Sequence, residues 1–162
     1  MRSYYLALYS AAHHASKNTL SSIFKRIMNA QKPYLLTFDT IGAPDLGYIA
    51  VAENSALPFQ IKRTYWIYCT PETVARGHHA HHELQQVVIA VHGSIEFVLE
   101  NVAGEKTIFH LEKPNVGLFI PEMHWRTINF SHDAVLLCLA STEYNEADYI
   151  RDFEVFQALA NQ

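Results

Sequence analysis

From Pro33 onward the sequence is cut into short runs rich in Val, Ile, Phe, Tyr and Thr, separated by Gly, Pro, Asn and Asp. Runs of this length and composition suit a pleated, half-buried surface and are too short for ordinary helices. They predict strands near Leu35–Asp39, Gly47–Ala52, Phe59–Cys69, His79–Val91, Ser94–Glu100, Lys106–His110, Gly117–Ile120, Trp125–Phe130 and Ala134–Leu139. The pairs His92-Gly93 and Ala103-Gly104 predict turns joining hairpin partners. Many short strands with no helices between them mean an all-β sandwich or barrel, the group that includes jelly rolls. Only after Asn145 does the period change. Ala147, Ile150, Phe153, Phe156 and Leu159 recur at helical spacing, which predicts a C-terminal helix packed on the β-domain.

The first 32 residues are different in kind. They hold Arg2, Lys17, Lys25, Arg26 and Lys32 and no acidic residue. Thr19 is placed to cap a short helix presenting Leu20, Ile23, Phe24 and Ile27 on one face. Residues 1–32 therefore read as an N-terminal extension: a linker to a fused or upstream biosynthetic domain, a helix docking on a partner subunit, or a loosely ordered tail. Residues 33–162 form the β-domain. At 162 residues the chain suits one domain, and 49% hydrophobic residues supply a core.

A formal charge of −4 argues against a nucleic-acid partner, which calls for a strongly basic footprint. An anionic small ligand stays compatible with it, because a few arginines inside a pocket can hold one. Cys69 and Cys138 are far apart in hydrophobic runs and form no CxxC pair, so they read as small buried hydrophobes. No apolar stretch reaches the roughly 18 residues of a membrane span. The apolar patch after Arg2 is soon interrupted by His13, His14, Lys17 and Asn18, so a cytoplasmic location without a secretory signal is expected.

The densest polar cluster is Arg76-Gly77-His78-His79-Ala80-His81-His82. Alternation along a strand sends His79 and His81 to one face and His78, Ala80 and His82 to the other. Two imidazoles entering one enclosed space serve either as metal ligands or as acid–base groups; on an outer face they would be only a solvated surface. The metal reading follows the cupin pattern in part, through His79, His81, Gln86 and Gly93, with His124 later. Gln86 stands where that pattern has a glutamate, so the carboxylate that would help neutralise a hard cation is missing. On the last strand of the pattern, the inward residue is His124, Trp125 or Arg126, and the sequence does not fix which.

Arg76-Gly77-His78-His79-Ala80-His81 resembles the Arg-Gly-x-His-Ala-His signature of the TDP-4-oxo-6-deoxyglucose 3,4-ketoisomerases, the WxcM-like sugar-nucleotide ketoisomerase cupins. The likeness runs from about Tyr34 to Phe156. It includes Ile61-Lys62-Arg63-Thr64-Tyr65, Leu84-Gln85-Gln86-Val87, Val116-Gly117-Leu118, Met123-His124-Trp125-Arg126 and Leu139-Ala140-Ser141. The related 3,5-epimerases share Arg-Gly-x-His. His-Ala-His combined with Asp148-Tyr149-Ile150-Arg151 is the specific part. The resemblance implies a jelly-roll barrel, a homodimer with exchanged N-terminal strands, no metal or other cofactor, and a thymidine-diphosphate keto sugar as substrate. One departure is plain: the family's Asp-x-Arg-Gly in the first turn is replaced by Asp39-Thr40-Ile41-Gly42-Ala43-Pro44-Asp45, without the arginine.

Moving a ketone from carbon 4 to carbon 3 is an internal redox exchange through an enediol. It needs no hydride acceptor, in keeping with a chain that has no Gly-rich dinucleotide fingerprint. It does need a base with a pKa near working pH and a second group to shuttle protons, and histidine suits both. The resemblance assigns His79 as the base at carbon 3 and His81 as the proton shuttle. Tyr65, on one strand face with Arg63, is a candidate to stabilise the enolate, or else a core aromatic. Arg63, Arg76 and Arg126 are candidates for the diphosphate or for structural ion pairs. Gln86 joins the substrate-binding candidates, and Trp125 either stacks on thymine or sugar or fills the barrel. A 3,5-epimerase on the same substrate and a non-catalytic sugar-nucleotide-binding module are the competing functions.

Overall fold

The structure, a computed structural model, describes residues 31–161. The helix expected around Thr19–Ile27 lies outside the described residues. Twelve strands follow in chain order: β1 (Tyr34–Thr37), β2 (Asp39–Ala43), β3 (Gly47–Val51), β4 (Arg63–Ile67), β5 (Arg76–His81), β6 (Gln86–His92), β7 (Ile95–Asn101), β8 (Lys106–Leu111), β9 (Val116–Ile120), β10 (His124–Phe130), β11 (Val135–Ala140) and β12 (Tyr149–Ile150). Among the described residues a single α-helix, α1 (Phe153–Ala158), follows the strands.

Two five-stranded sheets are formed, ordered β1-β9-β6-β11-β4 and β12-β5-β10-β7-β8, and among the described strands β2 and β3 pair only with each other. Without β1 and β12 the orders are those of a jelly roll: sequential strands alternate between sheets, so most connections cross the sandwich. The all-β cupin expectation holds. Between the sheets lies the main core, with Val88, Phe97, Leu99, Leu118, Ile128 and Leu136 fully or nearly fully buried. A second cluster of Phe38, Leu57, Val87, Ile89, Phe119 and Leu139 covers the outer face of the first sheet. On the outer face of the second sheet, Ala80, Ile150 and Phe156 are buried under α1. Strand β6 is thus buried on both faces, and that is why Val87–Ala90 is a continuous apolar run rather than an alternating one.

Four expectations are corrected. The run predicted as one strand over His79–Val91 is two strands in different sheets, joined by a corner at residues 82–85. Polar residues pin this corner. Asp148 accepts hydrogen bonds from the Glu83 and Leu84 amides at 2.7 and 3.3 Å, and Ser141 Oγ accepts one from the Gln85 amide at 2.9 Å. Second, His92-Gly93 does not close a hairpin, because β6 and β7 belong to opposite sheets. Gly93 (φ 71°) makes the crossing against Ala134, where a Cβ would lie 2.6 Å from the Ala134 Cα. Ala103-Gly104 does join paired strands, β7 and β8.

Third, the long strand expected over Phe59–Cys69 is limited to Arg63–Ile67, because Phe59 and Ile61 pack flat on the outer face of the first sheet instead. Last, the C-terminal helix is shorter than its periodicity suggested. Ala147 sits in a single 3₁₀ turn capped by Asn145, and Ile150 in β12, which pairs with β5. The helix starts only where Asp152 caps the Glu154 and Val155 amides. Among the described residues no helix is long and apolar enough to cross a membrane.

Candidate active site

Strands β4, β5, β6 and β10 bring their polar residues together at one end of the sandwich, around an open cavity of about 610 Å³. Its floor is apolar, from Val88, Phe97, Ile128 and Leu136, and no carboxylate side chain is among its described lining residues. Arg63, Arg76, Arg126 and Arg151 line it together with Tyr65, His79 and Gln86. A cavity with four guanidinium groups and no acid is built for an anion, although the chain as a whole carries −4.

The signature strand is not regular. Pairing between β5 and β10 matches His79 to Arg126 and Gly77 to Thr127, so His78 is an extra residue in a bulge. Gly77 (φ 90°) and His78 (φ 53°) both take left-handed backbone. Because of that extra residue Arg76 and His79, three positions apart, both line the cavity. Strict alternation would have put them on opposite faces.

His79 and His81 meet edge to face, ring centroids 4.9 Å apart. His79 Nδ1 lies 2.8 Å from the Gly77 carbonyl oxygen. A carbonyl only accepts, so the proton sits on Nδ1 and Nε2 keeps its lone pair. His81 Nδ1 lies 3.0 Å from Asp148 Oδ2, which fixes the same tautomer on that ring. Burial, then the nearby Arg126 guanidinium, lowers the His79 pKa from 6.5 to about 4. The same two causes lower that of His81, whose surroundings are still drier, while the Asp148 carboxylate pulls the other way. Both rings are therefore neutral near pH 7.

Tyr149 touches both, its ring centroid 5.1 Å from that of His79 and 4.2 Å from that of His81. Arg151 lies over the Tyr149 ring at 4.2 Å and forks onto Glu146 at 2.7 and 3.0 Å. Tyr65, on β4, accepts a hydrogen bond from Gln86 Nε2 at 2.7 Å. Burial raises its pKa well above that of an ordinary phenol, so it stays protonated. The Gln86 Oε1 accepts from Arg126 Nη1. Arg63 lies between the rings of Tyr65 and Tyr144, at 5.2 and 5.5 Å.

Of the residues singled out from sequence, His79, His81, Tyr65, Arg63, Arg76, Gln86 and Arg126 thus come together. Trp125 does not. Alternation on β10 points it outward, where it packs on Phe153 at 5.0 Å and Phe156 at 5.7 Å beneath α1. The inward residue at the centre of the site is Arg126, while His124 is buried at the strand end beside the Glu122 carbonyl. The donor set does not fit a divalent cation: the position a cupin metal site would give to glutamate is an amide with a guanidinium against it. Among the described residues no group of three or more His, Cys, Asp or Glu is placed to hold a metal. Sequence reasoning missed Asp148, Tyr149, Arg151 and Tyr144 as site residues. The signal was present in Asp148-Tyr149-Ile150-Arg151, but an assumed helix over this segment hid the alternation that sends Tyr149 and Arg151 to one side.

Comparison with known proteins agrees with this arrangement. Residues 31–161 match the family model described as FdtA: WxcM-like, C-terminal. A TDP-4-oxo-6-deoxy-alpha-D-glucose-3,4-oxoisomerase of Aneurinibacillus thermoaerophilus is 40% identical over 112 residues, which is 67% of this chain and 78% of that protein. The crystal structure of a 3,4-ketoisomerase from Helicobacter canadensis superposes with TM-score 0.76 at 43% identity, covering 82% of this chain and 99% of that one. The ketoisomerase QdtA of Thermoanaerobacterium thermosaccharolyticum gives TM-score 0.75 at 35% identity, covering 80% and 94%. That structure is of a histidine-to-asparagine variant in complex with TDP-4-keto-6-deoxyglucose. The match spans the whole β-domain, both histidines and the C-terminal tail, and the chain belongs to the WxcM-like, C-terminal family.

Proposed function

We propose that this chain is a sugar-nucleotide 3,4-ketoisomerase, converting TDP-4-oxo-6-deoxyglucose to a TDP-3-oxo-6-deoxyhexose. The observation that carries this reading is a pair of touching, neutral imidazoles, each with its lone pair on Nε2, of which His79 lines a cavity that four arginines also line. The named relatives act on, or bind, TDP-linked keto sugars.

His79 Nε2 removes the proton on carbon 3, which the neighbouring carbonyl has acidified. The pair of electrons from that C–H bond becomes the carbon 3–carbon 4 double bond, and the carbonyl π pair moves to the oxygen on carbon 4. His81, oriented by Asp148, carries protons between the enediol oxygens and carbon 4, leaving the ketone on carbon 3. A base with a pKa below neutrality is already deprotonated at working pH, so no prior deprotonation step is needed. Tyr65, kept protonated by burial, donates a hydrogen bond to a sugar oxygen. Arg63 and Arg76 face the diphosphate at the mouth.

The working unit is a homodimer. Hairpin β2–β3 pairs with no other described strand and leaves Ile41, Leu46, Tyr48 and Ile49 exposed, a surface that exchange with a second copy would cover. Residues 1–30 lie outside the family match, which supports the reading of residues 1–32 as an appendage. Incubation with TDP-4-oxo-6-deoxyglucose followed by proton NMR tests the function. A 3-oxo product supports it. Epimerised 4-oxo sugar, or unchanged substrate with bound TDP, would replace it with an epimerase or a binding module.

A further inference from the structure

Of the four arginines that line the cavity, Arg126 is the buried one. It is 2% exposed and points inward from β10, in line with Ile128 and Phe130 in the core. Its partners are all neutral: Nη1 donates to the Gln86 side-chain carbonyl and Nη2 to the His124 backbone carbonyl at 3.1 Å. Its Nε is buried with no hydrogen-bond partner. Among the described residues no carboxylate forms an ion pair with it. Asp148, the acidic group that influences it, is occupied by His81 and two backbone amides. A buried charge held only by neutral acceptors is costly to fold around, and such a charge is normally paired.

Position says what pairs with it. Arg126 is the cross-strand partner of His79, so the two side chains start from adjacent Cβ positions roughly 5 Å apart and enter the same cavity. On the reading given above, His79 stands over carbon 3 of the sugar. The diphosphate hangs from carbon 1, on the other side of the ring, and leads out towards Arg63 and Arg76. A guanidinium beside the base therefore reaches the carbon 3–carbon 4 edge and not the phosphates.

We propose that Arg126 is a catalytic residue whose free N–H groups receive the oxygen on carbon 4 as it becomes anionic. When His79 takes the carbon 3 proton, the negative charge arrives on that oxygen, and the guanidinium gains in the transition state the counter-charge it lacks at rest. This is oxyanion stabilisation by a preorganised, desolvated cation. The charge also disfavours protonation of His79 and His81, so one side chain keeps the base ready and receives the product of its action.

The inference rests on the ketoisomerase reading, and the test separates the two. Wild-type protein, Arg126→Met and Arg126→Lys are compared for melting temperature, TDP affinity by calorimetry, kcat, and exchange of the carbon 3 proton with deuterated solvent. A wild-type protein that neither exchanges nor forms product overturns the function, whatever the variants do. With an active wild type, Arg126→Met is expected to fold, to bind TDP within about threefold of wild type, and to lose both exchange and kcat by about 10²–10³-fold, the usual effect of removing an oxyanion donor. Arg126→Lys is expected to recover part of the loss. Unchanged kcat, or TDP affinity falling in step with turnover, overturns the assignment and returns Arg126 to the core or to the diphosphate. Should Arg126→Met fail to fold, Arg126→Lys decides: a kcat loss of tenfold or more at unchanged TDP affinity sustains the proposal, and full kcat refutes it.

Discussion

Replacing Asp148 by Asn should cripple turnover while leaving the fold intact. The carboxylate accepts three hydrogen bonds, from His81 Nδ1 at 3.0 Å, the Glu83 amide at 2.7 Å and the Leu84 amide at 3.3 Å. An asparagine offers one acceptor oxygen and one donor group. If its oxygen faces His81, its NH₂ opposes the Glu83 amide, donor against donor. If it is turned over, the NH₂ forces His81 to hold its proton on Nε2, and the nitrogen facing the site no longer accepts one. In both orientations the negative charge behind His81 is gone. At an effective dielectric near 20, a unit charge about 4 Å away is worth about 4 kcal/mol, and the remaining amide dipole recovers part of it. A net loss of about 2–4 kcal/mol means kcat falls roughly 30–1,000-fold. The Glu83 amide is solvent-accessible and can turn to water, so the folding cost stays at about 1–2 kcal/mol. That is a drop in Tm of roughly 3–10 °C. Steady-state NMR turnover and a thermal melt measure both. The double variant Asp148→Asn/His81→Asn should be no worse than His81→Asn alone, since Asp148 acts through that ring. Wild-type kcat in Asp148→Asn, or fully additive losses in the double variant, would refute the reasoning.

The two histidines should be separable. His79→Asn should abolish carbon 3 exchange with deuterated solvent at intact TDP binding, a loss of roughly 10²–10⁴-fold, whereas His81→Asn should retain exchange and make little product; the reverse pattern would swap the roles. With the His79 pKa lowered to about 4, kcat/KM should stay level below neutrality and decline only as pH falls towards 4; an inflection near 6.5 would contradict it. The sign for stability follows. Between about pH 6.5 and 4 the unfolded chain takes up a proton that folded His79 does not, so Tm should fall with pH across that window, less steeply in His79→Asn. Sedimentation at micromolar concentration should show a dimer that Ile49→Asp weakens, and a wild-type monomer would count against strand exchange.

The architecture was legible because β-branched runs and turn residues act locally. Ala103-Gly104 closes a hairpin with nothing else required. His92-Gly93 looks the same in sequence yet crosses between sheets, since that outcome depends on which core Val88 and Phe97 share. The pair His79 and His81 followed from alternation alone, and Tyr65 with Arg63 likewise. Trp125 and Arg126 could not be told apart without register, which β10 sets through its pairing with β7 and β5. The pairing of Asp148 with His81 was out of reach for another reason. Asp148 lies 67 positions from His81, and their contact exists only because β12 pairs with β5.

The bulge at Gly77-His78 makes the signature a spacing device as much as a set of reactive groups. At Gly77 a Cβ would lie 2.6 Å from the Arg126 carbonyl oxygen, so any side chain there wedges β5 away from β10 and carries His79 with it. His78 takes a left-handed backbone that Asn, Asp or Gly adopt more readily, and it too lines the cavity. The length of the segment is fixed. Deleting one residue between Arg76 and His79 would restore simple alternation and turn either Arg76 or His79 out of the cavity. Lineages descending from such a chain therefore cannot gain or lose a residue within this segment and keep the chemistry.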